Sequence, residues 1–440
     1  MKKCIVPLLA AIMLNACTPS SFEECGEYPE IFPDYVGVTV PEGIAPLEFR
    51  MADGRKMKKK IERSEDTVFV TISAWRKGDR VGVRYAPFPI FVSRDSIDPY
   101  VAYRLIEPGY ESWHDMGIYQ RCLSTYAETA IVTNRSNGGG CVNCHNFDSY
   151  DSERMLFHSR GSNGGTVFAL NGQTSILNLA VTGPGKQGTY PAWHPSGRYV
   201  VFSSNDTHQC FTAGNTQPIE VYDTSSDLIM LDLEGGTVEC PEVFRTDDRL
   251  ETFPSWSEDG KVLYFCVSEA VDSLPEKRGE LRYRIAASDF ADGRFSEPRT
   301  VLESDTLSFS FPRMKGEWMM LTAADFGTFP IWHREADLMM YNPVSGELRR
   351  TDELNSGFTE SYHSWSSNGK WVIFSSRRLD GRYTRLFIAH YRGDGTFDKP
   401  FLLPQRSPEY DVLRLKSYNI PEFICGKAPR LDDSFSKLSQ

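Results

Sequence analysis

Long hydrophobic runs are missing from this chain. The longest apolar stretch near the N-terminus, Ile5 to Leu14, is too short to cross a bilayer as a helix. An excess of positive charge is missing too. The formal net charge of −11 argues against nucleic acid or an anionic membrane surface as a partner. Histidine is sparse, eight in 440 residues. His194, His208, His333, His363 and His390 fall at no metal-ligand spacing such as H-x-x-x-H, so no second metal is assigned to them. Neither a P-loop nor a nucleophile elbow occurs, which removes the two commonest sequence grounds for a nucleotide hydrolase or a serine hydrolase. What remains is an ordinary globular composition, with 12% aromatic and 24% charged residues. A chain of this length has room for two or three domains, or for one large propeller with an appendage.

The stretch Cys141-Val142-Asn143-Cys144-His145 carries the most chemistry. Two thiols three apart with a histidine directly after them form the C-x-x-C-H pattern of covalent c-type haem attachment. Each thiol adds across one vinyl group, and the tether holds the imidazole beside the iron. Asn137-Gly138-Gly139-Gly140 leads into the motif, and its glycines are expected to turn the backbone tightly and leave room for a flat macrocycle. A zinc site lacks its second Cys or His pair nearby. A thioredoxin-type dithiol lacks its flanking strand and helix. One haem c is therefore the expected cofactor, with Cys141, Cys144 and His145 holding it. His158 is the expected distal ligand, with Met155 as the alternate and His114 next in line. Arg160, with Arg121 and Arg135, is a candidate partner of the propionates.

Export fits this expectation, because c-type haem is attached outside the bacterial cytoplasm. Lys2 and Lys3, the short apolar run and Leu14-Asn15-Ala16-Cys17 describe a secretory signal. Leu-x-Ala-Cys resembles the bacterial lipoprotein signal, in which Cys17 becomes the lipidated first residue. That resemblance implies an outer-membrane lipoprotein facing the periplasm or the cell surface, held by its N-terminal lipid. Of the ten cysteines, Cys4 leaves with the signal, Cys17 carries lipid, and Cys141 and Cys144 carry haem. The remaining Cys25, Cys122, Cys210, Cys240, Cys266 and Cys425 are an even set in an oxidising compartment, so disulfides such as Cys210–Cys240 or Cys25–Cys425 are open to them.

The rest of the chain reads as β. Val36–Val40, Thr67–Ala74 and Val81–Tyr85 alternate with period two; Lys56–Arg63 is a charge run expected in a solvated hairpin or loop. Pro87 and Pro89 demote Phe88–Val92 to an edge strand. Further on a phrase repeats. Tyr190-Pro-Ala-Trp193 with Gly197 and Phe202-Ser-Ser204 returns as Phe253-Pro-Ser-Trp256 with Gly260 and Phe265. It returns again as Tyr362-His-Ser-Trp365 with Gly369 and Phe374-Ser-Ser376, with a worn copy at Ser310-Phe311-Pro312. A short β-rich unit recurring at this period predicts propeller blades, with the anchors as core packing. Glu251 and Glu360 stand at equal offsets before two anchors and are expected on a solvated rim.

The phrase running from Trp193 to Ser203, with looser copies from Trp256 and Trp365, resembles the TolB-like WD-type propeller repeat. Together with the haem motif, Asp325-Phe326-Gly327 to Trp332-His333, and Ser417 to Pro421, it is similar to exported bacterial lipoproteins that join such a propeller to a single c-type haem. The expected fold is mainly β: a TolB-like β-propeller of six blades, preceded by a small β-rich N-terminal domain and a haem c segment. The expected boundaries are signal peptide 1–17, tether 18–34, N-terminal domain 35–134, haem segment 135–165, propeller 166–425 and tail 426–440. The expected function is electron transfer or haem-dependent redox chemistry, with a redox partner protein. The rivals are a propeller that binds a glycan or protein ligand around a structural haem segment, and a peroxidase-like enzyme with an open iron. A six-coordinate iron favours the first of the three, an open face the last.

Overall fold

The computed structural model describes residues 18–107, 114–161, 164–179, 187–212 and 219–438. Cys17, the expected lipidation site, and the signal peptide 1–17 lie outside the described residues. Strands dominate, and the described residues divide into two compact units, those within 1–95 with 404–413, and those within 96–403 with 414–440.

The smaller unit is built on a six-stranded sheet. Its long hairpin pairs Lys56–Ser64 with Thr67–Trp75 from Lys56↔Trp75 to Ser64↔Thr67. The charge run is thus the solvated strand of a hairpin, with Lys59 over the ring of Phe49 at 3.9 Å. The alternation of Thr67–Trp75 places Val70, Ile72 and Ala74 in the core with Tyr35, Phe88 and Ile90. Two expectations are corrected here. Residues 18–34 are not a bare tether, because Ser21–Cys25 pairs in parallel with Val81–Tyr85. Phe88–Ser93 is not an edge, since it pairs with both Thr67–Trp75 and Thr39–Pro41. Pairing on the second side starts at Phe91, past the prolines, so no ladder bond there calls on a missing proline N–H.

The larger unit is a β-propeller of antiparallel meanders. Four blades stand as separate four-stranded sheets. Their inner strands are Ser417–Ile424, Val142–Phe147, Ser308–Lys315 and Glu360–Trp365. Two further meanders, led by Thr189–Trp193 and Arg249–Trp256, are merged into one nine-stranded sheet by a single parallel bridge, Ser226↔Leu250. The expectation of six blades is thereby corrected to four, with these two meanders joined in one larger sheet.

The ring closes with strands from both ends of the sequence. Ser417–Ile424 pairs antiparallel with Tyr100–Ile106, which continues into Gly117–Cys122 and Glu128–Thr133. The expected split at 134 and 165 therefore gives way. Residues 100–133 belong to one blade, and the motif opens the next, because a row of blades leaves open sheet edges that pairing of the termini removes. The end of the chain is no loose tail either: Phe435 packs edge-on against Phe157 at 5.3 Å, and the Ala428 carbonyl accepts from Gln120 Nε2 at 2.7 Å.

The repeated phrase has two physical jobs. Trp193, Trp256 and Trp365 are buried between meanders, and Trp256 Nε1 donates to the Ala192 carbonyl while Trp365 Nε1 donates to that of Arg313, each at 3.2 Å. The turn glycine is required by space as well as by φ: at Gly260, with φ of 70°, a Cβ would collide with the ring of His194.

Candidate functional site

Each of the six inner strands carries the same bulge. Register slips between Asn143 and Asn146, Thr189 and Ala192, Thr252 and Ser255, Ser310 and Arg313, Ser361 and Ser364, and Asn419 and Glu422. At every slip one residue takes a left-handed backbone: Cys144, Tyr190, Phe253, Phe311, Tyr362 and Ile420, with φ between 48° and 54°. Non-glycine residues adopt this region only where the surroundings impose it, and a bulge re-aims the side chains around it. Cys144-His145 is therefore the local version of Tyr190-Pro191, Phe253-Pro254, Phe311-Pro312, Tyr362-His363 and Ile420-Pro421. The motif sits on a repeat position of the propeller.

These bulges line one axial cavity of about 70 Å³, with Cys144, His145, Tyr190, Phe253, Phe311, Tyr362, His363 and Ile420 in its wall. It adjoins a wider mouth of about 300 Å³, and Asn146, Pro191, Pro254, Arg313, Ser364 and Glu422 border both. Its aromatic side is tightly made, with Phe253 stacked on Phe311 at 4.0 Å between centroids.

The polar groups of this cavity are poorly satisfied. His145 is 2% exposed, and neither ring nitrogen has a hydrogen-bond partner. Burial, and next the Arg104 guanidinium, push its imidazole down to about 3, opposed by the Ile420 backbone, whose approach to the ring falls short of hydrogen-bond geometry. His363 is 3% exposed and pushed down to about 3 by burial and then by Arg313, opposed by the backbones of Met320 and Phe311. Its Nε2 lies 3.0 Å from the Met320 carbonyl, while its Nδ1 has no partner. Burial raises Glu422 to about 8, although it accepts from Asn146 Nδ2 at 2.8 Å and from Phe147 N at 3.1 Å. Burial likewise raises the Cys144 thiol, with Arg104 and Arg160 opposing. Arg104 Nε and Arg160 Nε are themselves buried without partners.

The other expected residues are placed apart. Cys141 and Met155 belong to the apolar core that joins two blades, with Val142, Phe147 and Phe157. His158 and Arg160 border a different cavity of about 200 Å³, where His158 Nε2 meets Gln187 Oε1 at 3.1 Å. Burial lowers His158 to about 4, and its Nδ1 has no partner. The glycine-rich approach leaves no open space at Gly140, where a Cβ would collide with the Arg160 carbonyl, so the closeness serves packing of the chain on itself. Arg121 is buried and donates to the Thr125 carbonyl at 3.2 Å, Arg135 is exposed beside Asp115, and His114 is exposed.

Glu251 and Glu360 are buried, not on a rim. Burial raises Glu251 to about 8, and Glu360 accepts from Ser356, Ser376 and Arg378. His333 is buried between two carboxylates, Glu220 at 3.0 Å and Glu335 at 3.1 Å. The eight described cysteines are free thiols. Among the described residues no group of three or more His, Cys, Asp or Glu side chains is placed to hold a metal ion.

Arg104, Tyr190, His363 and Glu422 were missing from the residues expected at the site. Aligning Asn143-Cys144-His145-Asn146-Phe147 with the aromatic-Pro phrase gives the signal that finds Tyr190 and His363.

No protein-family model matches the chain, and no curated protein does. Among solved structures it is similar to an oligogalacturonate lyase in complex with manganese, at 13% identity and TM-score 0.39, over 70% of this chain and 74% of that one. It is similar to the β-propeller domain of the Trilobed protease from Pyrococcus furiosus, at 13% identity and TM-score 0.36, over 79% and 93%. It is also similar to a Mycobacterium tuberculosis puromycin-hydrolyzing peptidase, at 11% identity and TM-score 0.40, over 86% of this chain and 57% of that one. Likeness at this level carries nothing about chemistry.

Proposed function

We propose that the protein is a membrane-anchored c-type haem propeller acting in electron transfer. Cys141 and Cys144 are the thioether positions, His145 is an iron ligand, and Cys17 is the lipidated residue. One observation carries the reading: directly after two free thiols stands an imidazole that is buried with neither nitrogen hydrogen-bonded. Buried polar groups are rarely left so, and an orphaned pair of ring nitrogens calls for a ligand. The motif's thiols and imidazole are the donors a haem c takes, and of these Cys144 and His145 face the axial cavity. His145 is neutral, which is the state that ligates iron, and Arg104 and Arg160 near Cys144 have unpartnered nitrogens suited to propionates. The inner cavity by itself has room for a few waters, so a macrocycle would need the mouth as well, and attachment would require Cys141 to turn out of the core where it packs.

When bound, the haem supplies a one-electron iron couple. The chain's own residues do the rest. The ring of blades excludes water from the axis, the bulges aim Cys144 and His145 into it, and the apolar wall of Phe253, Phe311 and Ile420 keeps the surroundings of low polarity. A low-polarity, pre-organised site reduces reorganisation when charge changes.

Protein made with the haem-attachment machinery in an exporting host tests the reading. Its haem is expected to survive acid-acetone extraction and to give the reduced spectrum of a thioether-linked haem. Haem that extracts freely, or none at all, removes the reading. Cys17→Ser is expected to move the protein from the membrane to the soluble fraction, and an unchanged distribution rejects lipidation at that residue.

A further inference from the structure

The mouth of about 300 Å³ outside the axial cavity is bordered by Arg313, Glu422 and Trp193, and none of Cys141, Cys144 and His145 lines it. Glu422 is fixed by one oxygen only. Its Oε1 accepts from Asn146 Nδ2 at 2.8 Å and from Phe147 N at 3.1 Å, while Oε2 has no partner among the described residues. Burial raises this carboxyl to about 8, so it is protonated at neutral pH. Two donors already point at Oε1, so the proton sits on Oε2, where no acceptor engages it.

Arg313 has donors to spare. Its Nη1 donates to the carbonyl of its own neighbour Pro312 at 3.0 Å, and no ion pair engages the guanidinium among the described residues. Burial lowers its pKa, yet a guanidinium stays charged at neutral pH. Glu258, the other carboxylate of the lining, is taken by Lys315 at 2.7 Å. Trp193 adds a third idle donor. Trp256 Nε1 and Trp365 Nε1 each donate to a carbonyl of the preceding inner strand, but Trp193 Nε1 is buried with no partner. The remaining wall is largely apolar, with Pro191, Pro254, Trp256 and Met314.

We infer that the axial mouth binds a small organic monocarboxylate, paired with Arg313 and hydrogen-bonded by Glu422, with its apolar body against Pro191, Pro254 and Trp256. The charges decide the class. Donors without acceptors call for an anion, and the planar fork of a guanidinium matches a carboxylate. One unpaired cation balances one negative charge, whereas a phosphate dianion brings a second charge that Lys315, already paired, does not meet. The volume lies at the low end of small-molecule sites, about 300–1,000 Å³, which limits the ligand to a small one. This site goes beyond the haem reading and does not rest on it.

Titration calorimetry of the full-length protein with benzoate, benzamide and benzylamine tests this. A macrocycle in the mouth would cover both groups, so the sample is haem-free, and failure of the haem reading leaves the result untouched. Benzoate is expected to bind at one site, and the neutral and cationic analogues at least about tenfold more weakly. Arg313→Gln is expected to weaken benzoate by about 10–100-fold, and Glu422→Ala by about tenfold. Glu422→Gln keeps an N–H donor in place of the Oε2 proton and is expected to stay within about threefold of wild type, a rescue that damage to the fold does not give. No saturable benzoate binding, benzamide bound as tightly as benzoate, or unchanged affinity in a folded Arg313→Gln overturns the site. Where Arg313→Gln does not fold, the comparison of benzoate with benzamide in wild type decides alone.

Discussion

His145 and His333 are both buried in the same propeller, and their surroundings could hardly differ more. His333 lies between Glu220 and Glu335, at 3.0 and 3.1 Å. Burial by itself lowers an imidazole's pKa, but here the hydrogen bonds and charges of the two glutamates prevail and raise it to about 9. His145 has an arginine for its charged neighbour and an apolar wall, and it is held neutral with both nitrogens idle. A buried imidazole stabilises a fold when it is charged and paired. When it is neutral and unpartnered it costs stability, about 1–3 kcal/mol for each group left unsatisfied. The first arrangement explains itself as structure. The second carries a cost that nothing beside it in the fold offsets, and His363, whose Nδ1 is also buried without a hydrogen-bond partner, shares that condition.

The largest expected effect comes from removing the two thiols of the motif. Cys141→Ser with Cys144→Ser is expected to abolish covalent haem, read as complete extraction into acid-acetone. Retention of covalent haem in the double variant would show that attachment does not occur at this motif. Next is the wall that keeps the axis apolar. Phe253→Ala deletes a ring that is 1% exposed and stacked on Phe311, and is expected to cost about 3–5 kcal/mol in denaturant unfolding.

His333→Gln strips the paired histidine and is expected to cost about 3 kcal/mol below neutral pH. The folded pKa of about 9 lies above the ordinary value of 6.5, so the paired charge stabilises fully below about pH 6.5. Its contribution is lost as the pH rises through about 9. Wild type and variant unfolding curves should therefore converge by pH 10, and a difference that stays constant with pH would assign the loss to packing. The smallest effect sharpens the comparison from the other side. His145→Leu in haem-free protein has no hydrogen bond to lose, and is expected to stay within about 1 kcal/mol of wild type or to be stabilised. A loss as large as that of His333→Gln would mean His145 has a structural partner after all.

Much of the fold was legible because its signals are local. The aromatic-Pro-x-Trp phrase, its turn glycine and the β-rich strand after it lie within about a dozen residues, and they determine an inner strand, a turn and the strand that pairs with it. The charge run from Lys56 to Arg63 was readable as a solvated hairpin for the same reason. What was misread was set at longer range. Residues 100–133 looked like a separate domain because the strand that completes their blade, Ser417–Ile424, is some three hundred residues away. Glu251 and Glu360 looked like rim residues because two carboxylates at an equal offset carry no sign of the serines, threonine and arginine that bury them.

By itself the sequence determined the β-propeller class, the places of its anchors and turns, and the presence of two thiols and an imidazole at haem-attachment spacing. Each follows from contacts within a hairpin, or from covalent spacing, and needs no knowledge of the rest of the chain. Only the tertiary structure decided that this motif stands on a bulge of the ring, that Cys141 turns into the core while Cys144 faces the axis, and that His363 shares a cavity with His145 while His158 does not. Those are outcomes of ring closure, in which six inner strands from distant parts of the chain converge on one line, and no local pattern records which residues will meet there.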